Sequence, residues 1–366
     1  MPQSQSDTKE NNFTFLRLLA ACMVIFGHSF ALKKMSEPLG NSIRFECTHG
    51  LAVTTFFVIS GFLVTTSIMR SHSIAGYMKK RCLRIMPALM VTVLITVFVI
   101  GPVMTTLNTA GYFSQGRTWA YLQSILIYPL KYDLPGVFKD NPHGGFVNGS
   151  LGTLPIEFSA YLLLIPILFL KFRPRIVIST ALLFMLLSLV LIPFFHMDNV
   201  KIFHMSLSKF SKCLSFFSFG SLLYSARGKI KFTYLNYSIA WAALIAGALT
   251  PYPQFFYYLT WPYIVICTAF MPLPFVGRLE KLGDISYGVY LYAYPVQQSI
   301  LYMYGGDISP YRLMAYTFPV AFLCGILSWK MVERPALGFK NRPIFGYFQK
   351  PGISVAADKA LPDANL

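Results

Sequence analysis

FTFLRLLAACMVIFGHSFAL, residues 13–32, is a twenty-residue apolar run with two ionisable groups in it, Arg17 and His28. That length of helix crosses a bilayer once. On an α-helix the eleven positions from Arg17 to His28 turn through about 1100°, three turns plus roughly 20°, and rise about 16 Å. The two groups therefore share one face at opposite depths. A charge at mid-membrane costs on the order of 2.5–3.5 kcal/mol on insertion scales, so Arg17 needs protein, water or an anionic ligand beside it. The plain alternative is an arginine reaching to the interface and a histidine hydrogen-bonded inside a bundle. This run alone leaves both open.

The rest of the chain is built from similar runs. Of 366 residues, 55% are hydrophobic and only 12% charged, against about 25% charged in soluble domains. Twenty-residue windows predict ten spans near 13–32, 51–69, 85–107, 151–170, 176–195, 207–226, 233–250, 254–271, 283–302 and 312–332. The expected fold is all-α, a polytopic membrane bundle of about ten transmembrane helices. Its parts are a cytoplasmic tail (1–12), a transmembrane domain (13–335) and a second cytoplasmic tail (336–366). The opening MPQSQSDTKENN has no basic n-region and no small-residue cleavage site follows the first run, so the first span is expected to stay.

A net charge of +17 raises nucleic acid as a partner, but the Lys and Arg residues fall in short segments between apolar runs. With both termini cytoplasmic, twenty of the 31 lie inside, ten outside, and Arg17 within the first span. That bias is the positive-inside pattern, so the expected partner is the lipid bilayer and not nucleic acid. The six cysteines show no C-x-x-C spacing; neither disulfides nor a metal site is expected. The longest interruption, 108–150, contains TWAYLQSILIYPL (118–130), a candidate interfacial or re-entrant helix. No soluble catalytic domain is appended and no internal repeat is evident, so any chemistry belongs in the bundle.

Four groups of residues are candidates for it. In NGSLGTLPIEF (148–158), Glu157 is the acidic residue well inside the fourth span, about 9 Å deep, while His28 lies roughly 6 Å from its own outer end. A carboxylate at that depth can orient an imidazole and raise its basicity, as a general base requires; a carboxylate held by Tyr or Arg for structure is the alternative. In MKKRCLRIMP (78–87), Arg81 and Arg84 share a helical face and form a fork suited to phosphate oxygens, or are simply positive-inside charge. In FFVISGFLV (56–64), Ser60 and Gly61 are small enough for a helix or a ligand to approach closely; packing is the ordinary use, and Ser60 is kept as a candidate cofactor contact. In SYGVYLYAYP (286–295), Tyr287, Tyr290 and Tyr294 share a face and read as an interfacial belt or packing.

Taken together, the Arg17–His28 interval, FFVISGFLV, the Arg81–Arg84 pair, NGSLGTLPIEF, GDISYGVYLYAYP (283–295) and SWKMVERP (328–335) resemble, in the same order over nearly the whole chain, acyltransferase family 3 of integral membrane acyltransferases. The resemblance implies transfer of an acyl group, commonly acetyl, from cytoplasmic acyl-CoA to a hydroxyl of an envelope or exported glycan or a lipid-linked saccharide, in the bacterial inner membrane. It carries over His28, Glu157 and Arg17 as catalytic positions, and Arg17, Arg81 and Arg84 as coenzyme A contacts. Acetyl-CoA would be a co-substrate, with no permanently bound cofactor. Gly152 stands where members often have Trp, and Ala293 where they often have His. Many members carry an esterase-like soluble domain; its absence implies a separate envelope partner for any second step. The competing class is a transporter or flippase for an anionic lipid-linked substrate, with Arg17 as counter-charge and His28 as proton relay.

Overall fold

The computed structural model describes residues 11–38, 40, 44–71, 73–169, 174–203, 205–273 and 283–340. The polar tails expected at 1–12 and 336–366 lie largely outside these. The described chain is mostly helical, with turns and coil between the helices, an isolated bridge between Thr105 and Val137, and a small antiparallel hairpin of Lys201–Ile202 and Met205–Ser206.

Ten helices fall on the ten apolar windows. They are α1 (Phe13–Ala31), α2 (Thr48–Met69), α3 (Ile74–Met104), α4 (Leu154–Phe169), α5 (Arg175–Phe194), α6 (Leu207–Ser225), α7 (Tyr234–Ala248), α8 (Pro253–Phe270), α9 (Ser286–Met303) and α10 (Pro310–Leu337). Five of them, α1, α2, α3, α5 and α10, are long and apolar enough to cross a membrane. Their starts follow ordinary capping: the side chains of Ser73, Ser206, Thr233 and Ser309 accept backbone N–H bonds at the heads of α3, α6, α7 and α10. Because Ser73 caps α3, that helix begins eleven residues before the apolar window at 85, and Arg81 and Arg84 belong to it as helical residues.

Packing is closest between α2 and α6, α9 and α10, α1 and α2, α5 and α6, and α7 and α8. Glycine makes two of these crossings possible. A Cβ on Gly61 would lie 2.0 Å from the Phe217 carbonyl oxygen, and one on Gly220 would lie 2.2 Å from that of Val58. The backbones of α2 and α6 thus touch directly. Gly288 and Gly325 do the same for α9 and α10.

The long interruption at 108–150 is docked onto the bundle. Asn141 Nδ2 donates to Gln298, and Asn148 Nδ2 to the Leu291 carbonyl. The helix expected over 118–130 is broken: short helical turns run Gly116–Ala120 and Tyr121–Leu126, and stop at Ile127, whose φ is +69°. A β-branched residue in that region cannot continue a right-handed helix.

Candidate functional site

A cavity of about 450 Å³ opens where α2 ends and α3 begins. Six cationic side chains line it, Arg17, Arg70, Lys80, Arg81, Arg84 and Lys340, against two carboxylates, Glu157 and Asp284. It runs inward past Ser60, Tyr161 and Tyr287 to Phe56, Thr153 and Tyr290. A volume of this size with an apolar wall and a cationic mouth suits a ligand with an anionic head and a long uncharged arm.

Arg17 and Arg84 are held by one acid. Asp284, just ahead of α9, takes Arg17 at 2.8 Å and Arg84 at 2.6 Å on Oδ2, and Ser286 Oγ donates to its Oδ1 at 2.5 Å. Arg84 also reaches Glu333 at 3.2 Å, and Ser328 Oγ donates to the far oxygen of Glu333. Glu333 closes a π-helical turn, Trp329–Glu333, whose wider winding carries its carboxylate inward to the arginine. Gly283 sits at φ +76°, and a Cβ there would fall 2.0 Å from Trp329 Nε1, so this turn and the Asp284 loop are fitted to each other.

The predicted arginine fork is therefore divided. Arg84 is committed to two carboxylates, whereas Arg81 gives one bond to Ser67 Oγ at 3.2 Å, and its buried Nε has no partner among the described residues. Arg81 also lies over the Tyr161 ring at 5.8 Å. The Ser60–Gly61 pair divides as well: Gly61 serves packing, while Ser60 faces the cavity, 3.5 Å from Tyr161 Oη.

Glu157 is not joined to His28. It lines the cationic cavity, and Tyr161, one turn on in α4, donates a short hydrogen bond to it. Depth along two helices left their rotation open, and α4 turns this carboxylate toward the arginines. His28 is not on the cavity lining. Its ring packs 5.2 Å from Tyr294 and 5.3 Å from His49, and its buried Nδ1 has no partner among the described residues. Tyr290 lines the cavity and Tyr294 is one turn further along α9; Val53 lines it and His49 is one turn back along α2. His28 thus lies about one helical turn, roughly 6 Å, beyond the cavity's end. Tyr290 Oη closes that end, bonded to Thr153 Oγ1 at 2.7 Å and the Ser150 carbonyl at 2.9 Å.

Around His28 the polar groups continue. Gln297 Nε2 donates to the Ile25 carbonyl and Ser29 Oγ of α1. Glu37, Glu46, Cys47 and His49 lie beyond, and Lys212 pairs with Glu46 at 2.5 Å. Burial, with the Glu46 carboxylate beside it, pushes the Cys47 thiol up to about 11. Sequence reading missed Asp284, Glu333, Tyr161, Glu37 and His49. Asp284 and Glu333 carried a signal, since both lie in the two resembling motifs nearest the C-terminus.

A helical membrane protein with a cation-mouthed cavity aimed at a buried histidine is the class these features define. The acyltransferase domain model of acyltransferase family 3 matches residues 10–329, and the chain belongs to that family. The chain is 32% identical to an O-acetyl transferase of Shigella phage Sf6, over 89% of this chain and 96% of that protein. It is 28% identical to nodulation protein 10 of Rhizobium leguminosarum bv. viciae, over 92% and 95% respectively. No solved structure matches it. This is a membrane O-acyltransferase.

Proposed function

We propose that the protein moves an acetyl group from cytoplasmic acetyl-CoA to a hydroxyl of an envelope or exported glycan on the outer side of the bacterial inner membrane. In this reading about ten helices cross, and both termini are cytoplasmic. The observation that carries it is the cavity, cationic at the end that would face the cytoplasm and ending about one turn short of His28. The phosphates of the donor lie among Arg81, Arg70, Lys80 and Lys340, and the pantetheine arm runs past Arg17 and Ser60. The roughly 16 Å from Arg17 to His28 is comparable to that arm.

At the outer end His28 removes the proton of the acceptor hydroxyl. The hydroxyl oxygen bonds to the thioester carbonyl carbon, the C–S bond breaks, and the coenzyme leaves as a thiol carrying that proton. General-base action of this kind contributes about 10² to 10⁴ in rate. Arg17, fixed by Asp284 in the cavity wall, and Glu157, fixed by Tyr161, shape the channel's charge below the transfer point. The phage relative's name, an O-acetyl transferase, supports acetyl as the group moved.

The test is transfer of label from acetyl-CoA in inverted membrane vesicles, with glycan masses compared in cells that have or lack the protein. Wild type should add one acetyl mass, and His28→Ala should abolish it at an equal protein level. Transfer by His28→Ala near the wild-type rate overturns the assignment of the base. Substrate flux with no consumption of acetyl-CoA would instead make the protein a transporter.

A further inference from the structure

We infer that Glu37, Cys47 and His49 form a site for one zinc-class divalent cation at the outer end of the bundle, next to His28. Glu37 follows α1, Cys47 directly precedes α2, and His49 is in its first turn. One ligand atom from each lies within 4.8 Å of the others, close to the spacing a single ion imposes on its ligands. Cys47 Sγ is 3.5 Å from His49 Nε2.

A second observation points to something missing there. Glu37 is only 8% exposed. Its Oε1 accepts the Thr48 backbone N–H, but its Oε2 is buried with no partner among the described residues. His49 Nδ1 and Thr48 Oγ1 are buried without partners as well. A buried carboxylate oxygen with no bonded counter-charge among the described residues is expensive: of the two ammoniums near His49, Lys212 is paired with Glu46, and Lys209 makes no ion pair with Glu37. A divalent cation supplies what is lacking. On binding, the Cys47 S–H bond breaks, its proton goes to solvent, and the thiolate sulfur bonds to the metal. Thiolate and carboxylate then cancel the two positive charges, and neutral His49 completes a sulfur, nitrogen and oxygen set. That set favours zinc over magnesium or calcium, and three protein ligands leave a fourth, tetrahedral position for water.

The backbone is shaped to hold this cluster against α1. A Cβ on Gly27 would lie 2.8 Å from both Cβ and N of His49, so glycine at 27 lets the first turn of α2 seat beside His28. The search for C-x-x-C spacing could not see the site, because its ligands are one Cys, one His and one Glu brought together by a turn.

The test uses the full chain, purified in detergent without a metal-affinity tag, stripped with chelator and titrated with Co²⁺. The expected result is one Co²⁺ per chain with an intense near-ultraviolet sulfur-to-cobalt band, displaced by Zn²⁺. Cys47→Ser should lose the band, and Cys324→Ser, at a half-buried thiol on α10, should keep it. Glu37→Gln should weaken binding by about tenfold or more. Thermal melts without metal establish that each variant is folded. The proposal is overturned if folded wild type gives no band, or if Cys47→Ser binds Co²⁺ with the same spectrum. Neither outcome touches the transferase assignment, which rests on the family match and the O-acetyl transferase relative.

Discussion

Asp284→Asn should unlock the cavity wall. Its carboxylate is the single acid bonded to Arg17 among the described residues, at 2.8 Å, and it shares Arg84 with Glu333. With side-chain exposures of 16% for Arg17, 12% for Asp284 and 18% for Arg84, the group is mostly withdrawn from water. Removing one partner of a buried pair costs about 3–5 kcal/mol. Arg84 keeps Glu333, and the residual exposure softens the loss, so the lower end, about 3 kcal/mol, is expected. For a chain of 366 residues that is roughly 4 °C in melting temperature. The assay is a thermal melt of the purified protein in detergent, for wild type, Asp284→Asn and the double variant Arg17→Met/Asp284→Asn. Because the cost of breaking a buried pair comes largely from the charge left uncompensated, removing Arg17 as well should let the double variant regain part of the lost stability. If Asp284→Asn melts with wild type, or the two substitutions simply add, Arg17 is not held by this acid and the wall is organised differently.

Gly61→Ala places a methyl 2.0 Å from the Phe217 carbonyl and should cost 1–3 kcal/mol or more, read as reduced membrane accumulation and a lower melt, whereas Ser60→Ala, on the neighbouring cavity face, should fold normally. Gly283→Ala meets both a positive φ and Trp329 Nε1; it should lower the melt and, by displacing Asp284, reduce transfer in the protein that remains. Arg81→Ala removes a cavity guanidinium whose one hydrogen bond among the described residues is to Ser67; at 1.5–3 kcal/mol for a charged hydrogen bond, KM for the acyl donor should rise roughly tenfold or more with kcat little changed, and Arg81→Lys should recover part of it.

Much of the bundle was legible because a twenty-residue apolar run is a local signal: each window landed on a helix, and α3 began early only where its basic first turns lowered the hydropathy. The shared face of Arg17 and His28 was legible for the same reason, since an eleven-residue interval on one helix needs no knowledge of its neighbours. Pairing between helices was not. Asp284 is bonded to Arg17 across most of the chain, and Glu333 to Arg84 across 249 positions; no periodicity links them. Depth placed Glu157 at a level compatible with His28, but the rotation of α4 decides the partner, and its Tyr161, at i+4 on the same face, takes the carboxylate. The tyrosines of α9 read as a belt or as packing because hydropathy does not distinguish a ring facing lipid from one facing a cavity; Tyr294 does pack, against the His28 ring.

Those tyrosines explain why α1 alone is not the functional axis. Along α9, Asp284 ahead of its first turn meets Arg17, Tyr294 meets the His28 ring, and Gln297 clasps Ile25 and Ser29 on either side of that histidine. From residue 284 to 294 is ten positions, against eleven from Arg17 to His28, so the two segments keep nearly equal spacing and hold the charge at one end and the imidazole at the other in fixed register. Between those rungs the cavity narrows to Tyr290, whose hydroxyl is bonded to Thr153 and the Ser150 carbonyl just ahead of α4. Any group that reaches His28 from the cavity must displace or pass that hydroxyl. The closure follows from geometry: the same α9 face that lines the cavity also supplies the ring against His28, so a shift of α9 by a fraction of a turn alters both ends of the path together.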